Sequence, residues 1–276
     1  MDTFEHEGLT FDVSEAGPPD GAVVIALHGF PQDRRSWDPL ARELSAAGRR
    51  VLAPDQRGYS PLARPAGRAP YRRSRLVSDI LALADTAGAT TFDLIGHDWG
   101  GMVAWDLASR HPRRVRTLTV FSTPHPAAFR DALVRGRQLL HSWYMAALQI
   151  PWLPEATARA AGPGRVGAAL HRDGLSHEAA SRYAARICSP SSARGPIGWY
   201  RAMPLDWRRA VPAVDVPTLY AWGARDPYLT RAAADATARY VTAAFRFEVL
   251  EAAGHWLPEN DAVRLGPVVL RHLLRE

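Results

Sequence analysis

An aspartate between glycines stands where a short apolar run gives way to a helical pattern. Gly96-His97-Asp98-Trp99-Gly100 follows the strand-like run Phe92-Asp93-Leu94-Ile95. The glycines allow a sharp strand-to-helix turn, a nucleophile elbow, that presents the central side chain at the positive end of the helix dipole. A carboxylate is poorly suited to acyl transfer, but it can attack saturated carbon and form an alkyl ester. Suitable electrophiles are a strained epoxide and a carbon bearing halogen; the competing interpretation is that Asp98 only caps the helix.

A second step must hydrolyse that ester, and two later residues are placed to assist it. Asp226 follows one predicted strand and His255 follows the last one. Nucleophile, acid and base occur in this chain order in enzymes with such an elbow. Asp226 would fix the tautomer of His255 and stabilise its imidazolium, so that His255 can activate water. The alternatives are a structural histidine and, for Asp226 before Pro227, an ordinary turn residue.

The loop after the first central strand predicts an oxyanion hole. His28-Gly29-Phe30-Pro31 follows the apolar run 22–27. Such a loop donates one backbone N–H, and the residue after the nucleophile donates another, which assigns the amides of Phe30 and Trp99. His28 and His97 are expected to support these loops. The chain has no metal-ligand spacing such as HExxH and no phosphate-binding glycine loop, so we expect neither metal nor cofactor.

The elements that must position these residues follow from the hydrophobic pattern. Apolar runs predict strands at 22–27, 51–54, 92–95, 115–121, 217–222 and 245–250. Helical periodicity between them predicts helices at 37–47, 76–88, 102–109 and 262–274. This alternation indicates an α/β fold with a mostly parallel, doubly wound sheet. We expect a core domain formed by 1–126 and 213–276, with a helical domain, 127–212, inserted into it.

Composition restricts the class of protein. The 276 residues are 47% hydrophobic and 22% charged, which suffices for a full core. The net charge of +6 comes from 34 basic residues that are all arginine and are scattered along the chain, so nucleic acid is not an expected partner. A single cysteine, Cys188, and an N-terminus without a signal-peptide pattern favour the cytoplasm. No membrane span is expected, and the choice between monomer and homodimer stays open.

Five motifs together resemble the α/β-hydrolase-fold epoxide hydrolases of the soluble and microbial type. They are HGFP at 28–31, DQRGYS at 55–60, GHDWGG at 96–101, the turn at Asp226, and GHW at 254–256. The resemblance covers nearly the whole chain. It implies an α/β-hydrolase fold, a small-molecule epoxide as substrate, and a helical insert that serves as a cap over the nucleophile.

In that family the cap contributes two tyrosines that hydrogen-bond the epoxide oxygen. The segment 194–201 resembles the one carrying the first and places it at Tyr200, while 142–151 resembles the other and places it at Tyr144. Ala147-Leu148 stands where relatives often carry aromatic residues, which implies a reshaped pocket wall. Plain packing is the alternative for both tyrosines. Trp99 and Trp199 are expected to contact the substrate.

The resulting expectation is an epoxide hydrolase that forms a vicinal diol through an ester on Asp98. A haloalkane-type dehalogenase is the main alternative, because such enzymes share Trp99, whose indole N–H helps to hold the halide. They often carry Asn where this chain has Phe30, and they lack the tyrosine pair. Fluoroacetate dehalogenases resemble HGFP but carry Arg after the nucleophile. A hydrolase-fold receptor, which would bind without turnover, is the third interpretation.

Overall fold

A computed structural model describes residues 1–135 and 138–275, and a mostly parallel sheet forms the centre of this part of the chain. Its strands are β1 (Thr3–His6), β2 (Leu9–Ala16), β3 (Ala22–Leu27), β4 (Arg49–Pro54), β5 (Phe92–His97), β6 (Val115–Phe121), β7 (Thr218–Gly223) and β8 (Phe245–Leu250). They lie in the order β1-β2-β4-β3-β5-β6-β7-β8. β2 is antiparallel to β1 and β4, and the remaining neighbours are parallel. The predicted α/β fold is confirmed.

Helices cover both faces of the sheet. The helices are α1 (Asp38–Ala46), α2 (Arg73–Thr86), α3 (Trp99–Arg110), α4 (Pro126–Arg135), α5 (Gln138–His141), α6 (Trp143–Ala147), α7 (Leu153–Arg172), α8 (His177–Cys188), α9 (Pro190–Asp206), α10 (Arg231–Ala236), α11 (Leu257–Asn260) and α12 (Ala262–Leu274). The core on one side joins α2 and α3 to the sheet, and the core on the other joins α1 and α12. No described helix combines the length and the apolar character needed to cross a membrane.

The central strand β3 shows why continuous apolar runs become strands here. Ile25 and Leu27 face the core that contains α3, while Val24 and Ala26 face the core that contains α1. A parallel strand covered by helices on both faces needs apolar side chains on both. Because these strands are parallel, their carboxyl ends lie at the same edge of the sheet. The motif loops begin at that edge.

The sequence analysis missed the hairpin of β1 and β2 at one end of the sheet. Its two-residue turn, Glu7-Gly8, has φ of 49° at Glu7 and 73° at Gly8. Positive φ at both central residues matches the twist of a two-residue hairpin. Phe11 and Val13 alternate with more exposed neighbours along β2 and point into the core.

In the described residues between β6 and β7 there are six helices, α4 to α9. Within α7 the helix is interrupted at Gly162, where φ is 76° and Pro163 follows. Helix α9 packs tightly on the core: a Cβ at Gly195 would lie 2.1 Å from the carbonyl oxygen of Gly58. Close backbone contact therefore fixes α9 against the loop that follows β4.

The packing at the elbow gives a test of the fold. A Cβ at Gly100 would lie 2.1 Å from the carbonyl oxygen of Leu27 on β3. Gly100→Ala must push α3 away from the sheet, so we expect a loss of about 1–3 kcal/mol or more in the free energy of unfolding. Gly164→Ala is the matched control, because a Cβ there meets nothing within 4 Å and should leave stability unchanged or raise it by up to about 1 kcal/mol. Urea denaturation followed by circular dichroism measures both; equal effects would contradict the described packing.

Candidate active site

Asp98 lies at the tight turn between β5 and α3. Its backbone has φ of 50° and ψ of −120°, a conformation that is strained for a residue with a side chain. The Thr123 hydroxyl donates to the Asp98 carbonyl at 2.9 Å and helps to hold the turn. On the other side, a Cβ at Gly29 would lie 2.4 Å from the Cβ of Asp98. Glycine at position 29 therefore lets the loop after β3 approach Asp98 closely.

The two carboxylate oxygens of Asp98 have different surroundings. Oδ1 accepts a hydrogen bond from the Phe30 backbone N–H at 2.7 Å, and the Trp99 backbone N–H also bonds the carboxylate. Oδ2 lies 3.8 Å from Nε2 of His255. The side chain is 20% exposed and lines a cavity. One oxygen thus lies among the predicted oxyanion-hole donors, while the other faces the predicted base.

His255 and Asp226 lie next to each other, and His255 is close to the Asp98 carboxylate. Nδ1 of His255 lies 2.8 Å from Oδ2 of Asp226. The other oxygen of Asp226 accepts from the backbone N–H groups of Tyr228 at 2.8 Å and Leu229 at 3.1 Å. A carboxylate with these partners is oriented and stabilised as an anion, so Nδ1 of His255 carries a proton and Nε2 faces Asp98.

Burial and charge act against each other on these groups. Burial disfavours the charged imidazole, but the carboxylates of Asp226 and Asp98 outweigh it and raise the pKa of His255 to about 8. Burial also raises the pKa of Asp98 above its usual value, against the lowering effects of His255 and the N–H groups of Phe30 and Trp99. Asp98 and His255 therefore stabilise each other's charged forms.

A layer of hydrogen bonds fixes the backbone of His255. Its carbonyl accepts from the Ser122 hydroxyl at 2.8 Å and lies 2.8 Å from Nε2 of His97. Nδ1 of His97 lies 2.7 Å from Oε1 of Gln32, which also accepts from the Gly29 N–H at 3.0 Å. Gln32 and His97 thus connect the loop that carries His255 with the loop after β3. The sequence analysis did not identify Gln32, although it directly follows the HGFP motif, and nothing in the sequence distinguished Ser122.

The two predicted tyrosines come from different helices, Tyr144 from α6 and Tyr200 from α9. Both line the cavity that contains Asp98, and their ring centroids are 6.2 Å apart. Tyr200 also packs edge-on against Phe30 at 5.3 Å and Trp99 at 4.9 Å. Burial raises the pKa of both phenols above the usual value. They are therefore neutral hydrogen-bond donors beside a carboxylate.

We call this space the catalytic cavity. It is lined by Asp98, Trp99, Met102, Thr123, Phe129, Ser142, Tyr144, Met145, Tyr200, Tyr228 and Leu229. Of the two tryptophans predicted to contact substrate, Trp99 lines it and Trp199 does not. The Trp199 indole donates to the Arg57 carbonyl at 2.7 Å, and its ring lines a neighbouring cavity. Sequence reasoning missed Tyr228, whose ring centroid lies 4.9 Å from that of His255, although it stands two residues after Asp226.

No group of three or more histidine, cysteine, aspartate or glutamate side chains in the described ranges is arranged to hold a metal ion.

Comparisons with known proteins show which proteins this chain is similar to. A family model described as the alpha/beta hydrolase fold matches residues 22–151. The chain is 35% identical to human Epoxide hydrolase 4 over 273 residues, which cover 92% of this chain and 73% of that protein. It is 31% identical to Epoxide hydrolase A of Mycobacterium tuberculosis, covering 96% and 94% of the two chains. The crystal structure of Epoxide Hydrolase A from Mycobacterium thermoresistibile superposes with a TM-score of 0.83 at 28% identity, covering 98% and 97%.

The mutual stabilisation of Asp98 and His255 predicts a shift in one titration. Asp98→Asn removes the negative charge that lies 3.8 Å from Nε2, so the charged imidazole is less favoured and the pKa of His255 should fall below that of the wild type. Nitrogen-15 NMR of labelled imidazoles measures the shift.

His125 is an internal control for that titration. Burial lowers its pKa to about 4, and its ring stacks on Tyr240 at 4.8 Å. Its titration should be the same in both proteins. An unchanged His255 titration in Asp98→Asn would show that the two groups are not coupled.

Proposed function

This chain belongs to the epoxide hydrolases of the α/β-hydrolase fold, and we propose that it adds water to an epoxide to give a vicinal diol through an ester on Asp98. The observation that carries the proposal is one cavity holding a carboxylate nucleophile and two neutral phenols, Tyr144 and Tyr200. Opening an epoxide needs both, because the carbon is attacked while the ring oxygen gains charge.

In the first step, Oδ2 of Asp98 attacks one ring carbon and the bond from that carbon to the epoxide oxygen breaks. The oxygen leaves as an alkoxide on the neighbouring carbon and takes a proton from Tyr144 or Tyr200. Burial raises the pKa of both phenols, but an alkoxide is a stronger base than a phenolate, so the proton transfer is favourable. The product of this step is a hydroxyalkyl ester of Asp98.

In the second step, neutral His255 takes a proton from water, and the water oxygen attacks Cγ of the ester. Negative charge then develops on Oδ1, which the N–H groups of Phe30 and Trp99 stabilise. Collapse of this intermediate breaks the bond between Cγ and the former Oδ2, which leaves as a diol oxygen and takes the proton from the His255 imidazolium. The second proton of the attacking water, released when the Asp98 carboxyl ionises, returns to the tyrosine that protonated the epoxide oxygen. The water oxygen stays in the Asp98 carboxylate.

Ester formation itself prepares the base. The ester is neutral, so His255 loses one of the two carboxylates that raise its pKa. Its proton is then released more readily, and the neutral imidazole forms when water must be activated. Asp226 keeps its contact with Nδ1 and so keeps the ring oriented.

We further propose that residues 127–212 act as a cap on a core formed by 1–126 and 213–276. The positions of the two phenols support this division, since both come from helices between β6 and β7, whereas Asp98, Asp226 and His255 follow strands. Substrate is then enclosed between these two parts of the chain.

Replacing the base should trap the ester. In His255→Gln, Asp98 can still attack but water is not activated, so intact-mass measurement after mixing with styrene oxide should show the protein heavier by one substrate molecule. Wild type should show little adduct, and Asp98→Asn/His255→Gln should show none. In a single wild-type turnover in labelled water, the label should enter Asp98 rather than the diol. Label found only in the diol would mean that water attacks the epoxide directly.

Removing the phenols should slow the first step selectively. Tyr144→Phe and Tyr200→Phe should each reduce the rate of ester formation about a hundredfold, a typical loss for one preorganised donor. Because both hydroxyls would serve one oxygen, the two losses should not simply add. Rapid-quench measurement of ester formation in a His255→Gln background isolates this step.

Tyr240→Phe is the matched control for the phenols. Its hydroxyl donates to Oδ2 of Asp131 at 2.6 Å and lies outside the catalytic cavity. It should form ester at the unmodified rate. If the double Tyr144→Phe/Tyr200→Phe variant did the same, the tyrosines would be packing residues. Turnover of haloalkanes by that variant would then favour the dehalogenase, since a halide leaves without a proton.

A further inference from the structure

Residues 138–152 present large apolar side chains to the outside of the protein. We call these side chains the outer face; they are Leu139, Leu140, Trp143, Ile150 and Trp152. Ile150 is 44% exposed, and the other four are between 63% and 72% exposed. Large apolar side chains that are grouped and exposed in this way mark a surface that binds another apolar surface.

Helical spacing puts most of the outer face on one side of the segment. The backbone from Gln138 to Ile150 forms successive turns through hydrogen bonds between residues three or four apart. Leu139 and Leu140 precede Trp143 by four and three residues, so the three share one side of these turns. Ile150 lies two turns after Trp143 and extends the same side.

Buried polar contacts fix this orientation. Gln138 is completely buried, and its Nε2 donates to the Tyr228 carbonyl at 2.6 Å and to the Ser142 hydroxyl at 3.0 Å. Its Oε1 accepts from the Thr230 backbone N–H at 2.9 Å. The polar side chains of Gln138 and Ser142 thus face the protein while large apolar side chains face outward, the reverse of an ordinary surface helix.

Charge surrounds the outer face in the sequence but is not part of it. Residues 138–154 contain no aspartate, glutamate or arginine, and the next charged residue, Glu155, pairs with Arg201 at 2.6 Å. Residues 127–212 contain 12 arginines and 5 acidic residues, whereas the rest of the chain contains 22 and 23. The outer face therefore belongs to the part of the protein that carries the excess of positive charge.

This combination suits the surface of a lipid bilayer that contains anionic lipids. Tryptophan rings favour the boundary between headgroups and acyl chains, and basic residues near the surface attract anionic headgroups. A second copy of the chain suits it less well. A two-fold interface through the outer face would bring two positively charged segments together.

We propose that the outer face binds the surface of bilayers that contain anionic lipids, with Trp143 and Trp152 entering the boundary of the acyl chains. The protein then lies on one side of the bilayer, and no segment crosses it. Tyr144 lines the catalytic cavity from the inner side of the same segment, so this cavity lies next to the bound face. Binding to lipid does not rest on the proposed function.

Vesicles of two compositions test the binding. The protein is mixed with vesicles of phosphatidylcholine, or of equal parts phosphatidylcholine and phosphatidylglycerol, and the bound fraction is measured by sedimentation. We expect binding to the mixed vesicles, weaker binding at high salt, and little binding to phosphatidylcholine alone. Lipids with brominated acyl chains should quench part of the tryptophan fluorescence, which adsorption at the headgroups alone does not do.

Two double variants remove different parts of the outer face. Trp143→Ala/Trp152→Asn removes both rings, and asparagine tolerates the φ of 58° at position 152. We expect its partition coefficient for the mixed vesicles to fall at least about tenfold and most of the quenching to disappear. Leu139→Gln/Leu140→Gln should also weaken binding, and it keeps both tryptophans as reporters. Circular dichroism should show wild-type folding in both variants, because the replaced side chains are exposed.

Val263→Ala/Leu274→Ala is the matched control. These two exposed apolar residues lie on α12, outside residues 127–212. The control also removes exposed apolar surface, and it should bind the mixed vesicles as the wild type does.

Three results would overturn the inference. They are no binding to the mixed vesicles, equal binding of wild type and Trp143→Ala/Trp152→Asn, and a lipid-free wild-type dimer that this variant converts to a monomer in sedimentation equilibrium. The second would mean that the arginines adsorb without the outer face, and the third that the outer face joins two copies of the chain. None of these measurements uses an epoxide, so a failure of the inference is distinct from a failure of the proposed function.

Discussion

Two carboxylates around one imidazole, Asp226 buried and Asp98 partly exposed, set the requirements that the rest of this site meets. Asp98 lies near Nε2 of His255 and Asp226 lies near Nδ1, so the positive charge of the protonated ring stabilises both carboxylates. Charges removed from water are costly unless they are paired and hydrogen-bonded. Backbone N–H groups of four residues supply those bonds: Phe30 and Trp99 to Asp98, and Tyr228 and Leu229 to Asp226. Because backbone donors are fixed by the fold, this charge arrangement depends on accurate loop geometry at the edge of the sheet.

Sequence reasoning could find what a local pattern determines. The apolar runs of β3, β6 and β8 predict strands because both of their faces are covered or because turn signals bound them. The residues Asp98, Asp226 and His255 each follow a strand, and their order in the chain predicts roles that stay predictions until tested. The hairpin of β1 and β2 was missed because Glu7-Gly8 is a weaker turn signal than Asn-Gly or Asp-Gly.

What the sequence could not provide is contact between distant segments. Gln32 reaches His97 from another loop, and Ser122 reaches the carbonyl of His255 from the end of β6. The local sequence around Gln32 and Ser122 does not indicate either contact. Trp199 was expected to contact the substrate, but the direction of its side chain depends on how α9 packs on the core. Its indole N–H donates to the Arg57 carbonyl, and its ring lines the neighbouring cavity rather than the catalytic cavity.

The interruption of α7 at Gly162 lies apart from all of these contacts. A Cβ at Gly162 or at Gly164 would meet nothing within 4 Å, and the helices that carry Tyr144 and Tyr200 are α6 and α9. The chain can therefore change length at this turn without moving Tyr144 or Tyr200. Insertions, a fused domain or the new termini of a circular permutant can be accommodated there. Evolution and protein engineering can thus use the same position in the helical segment.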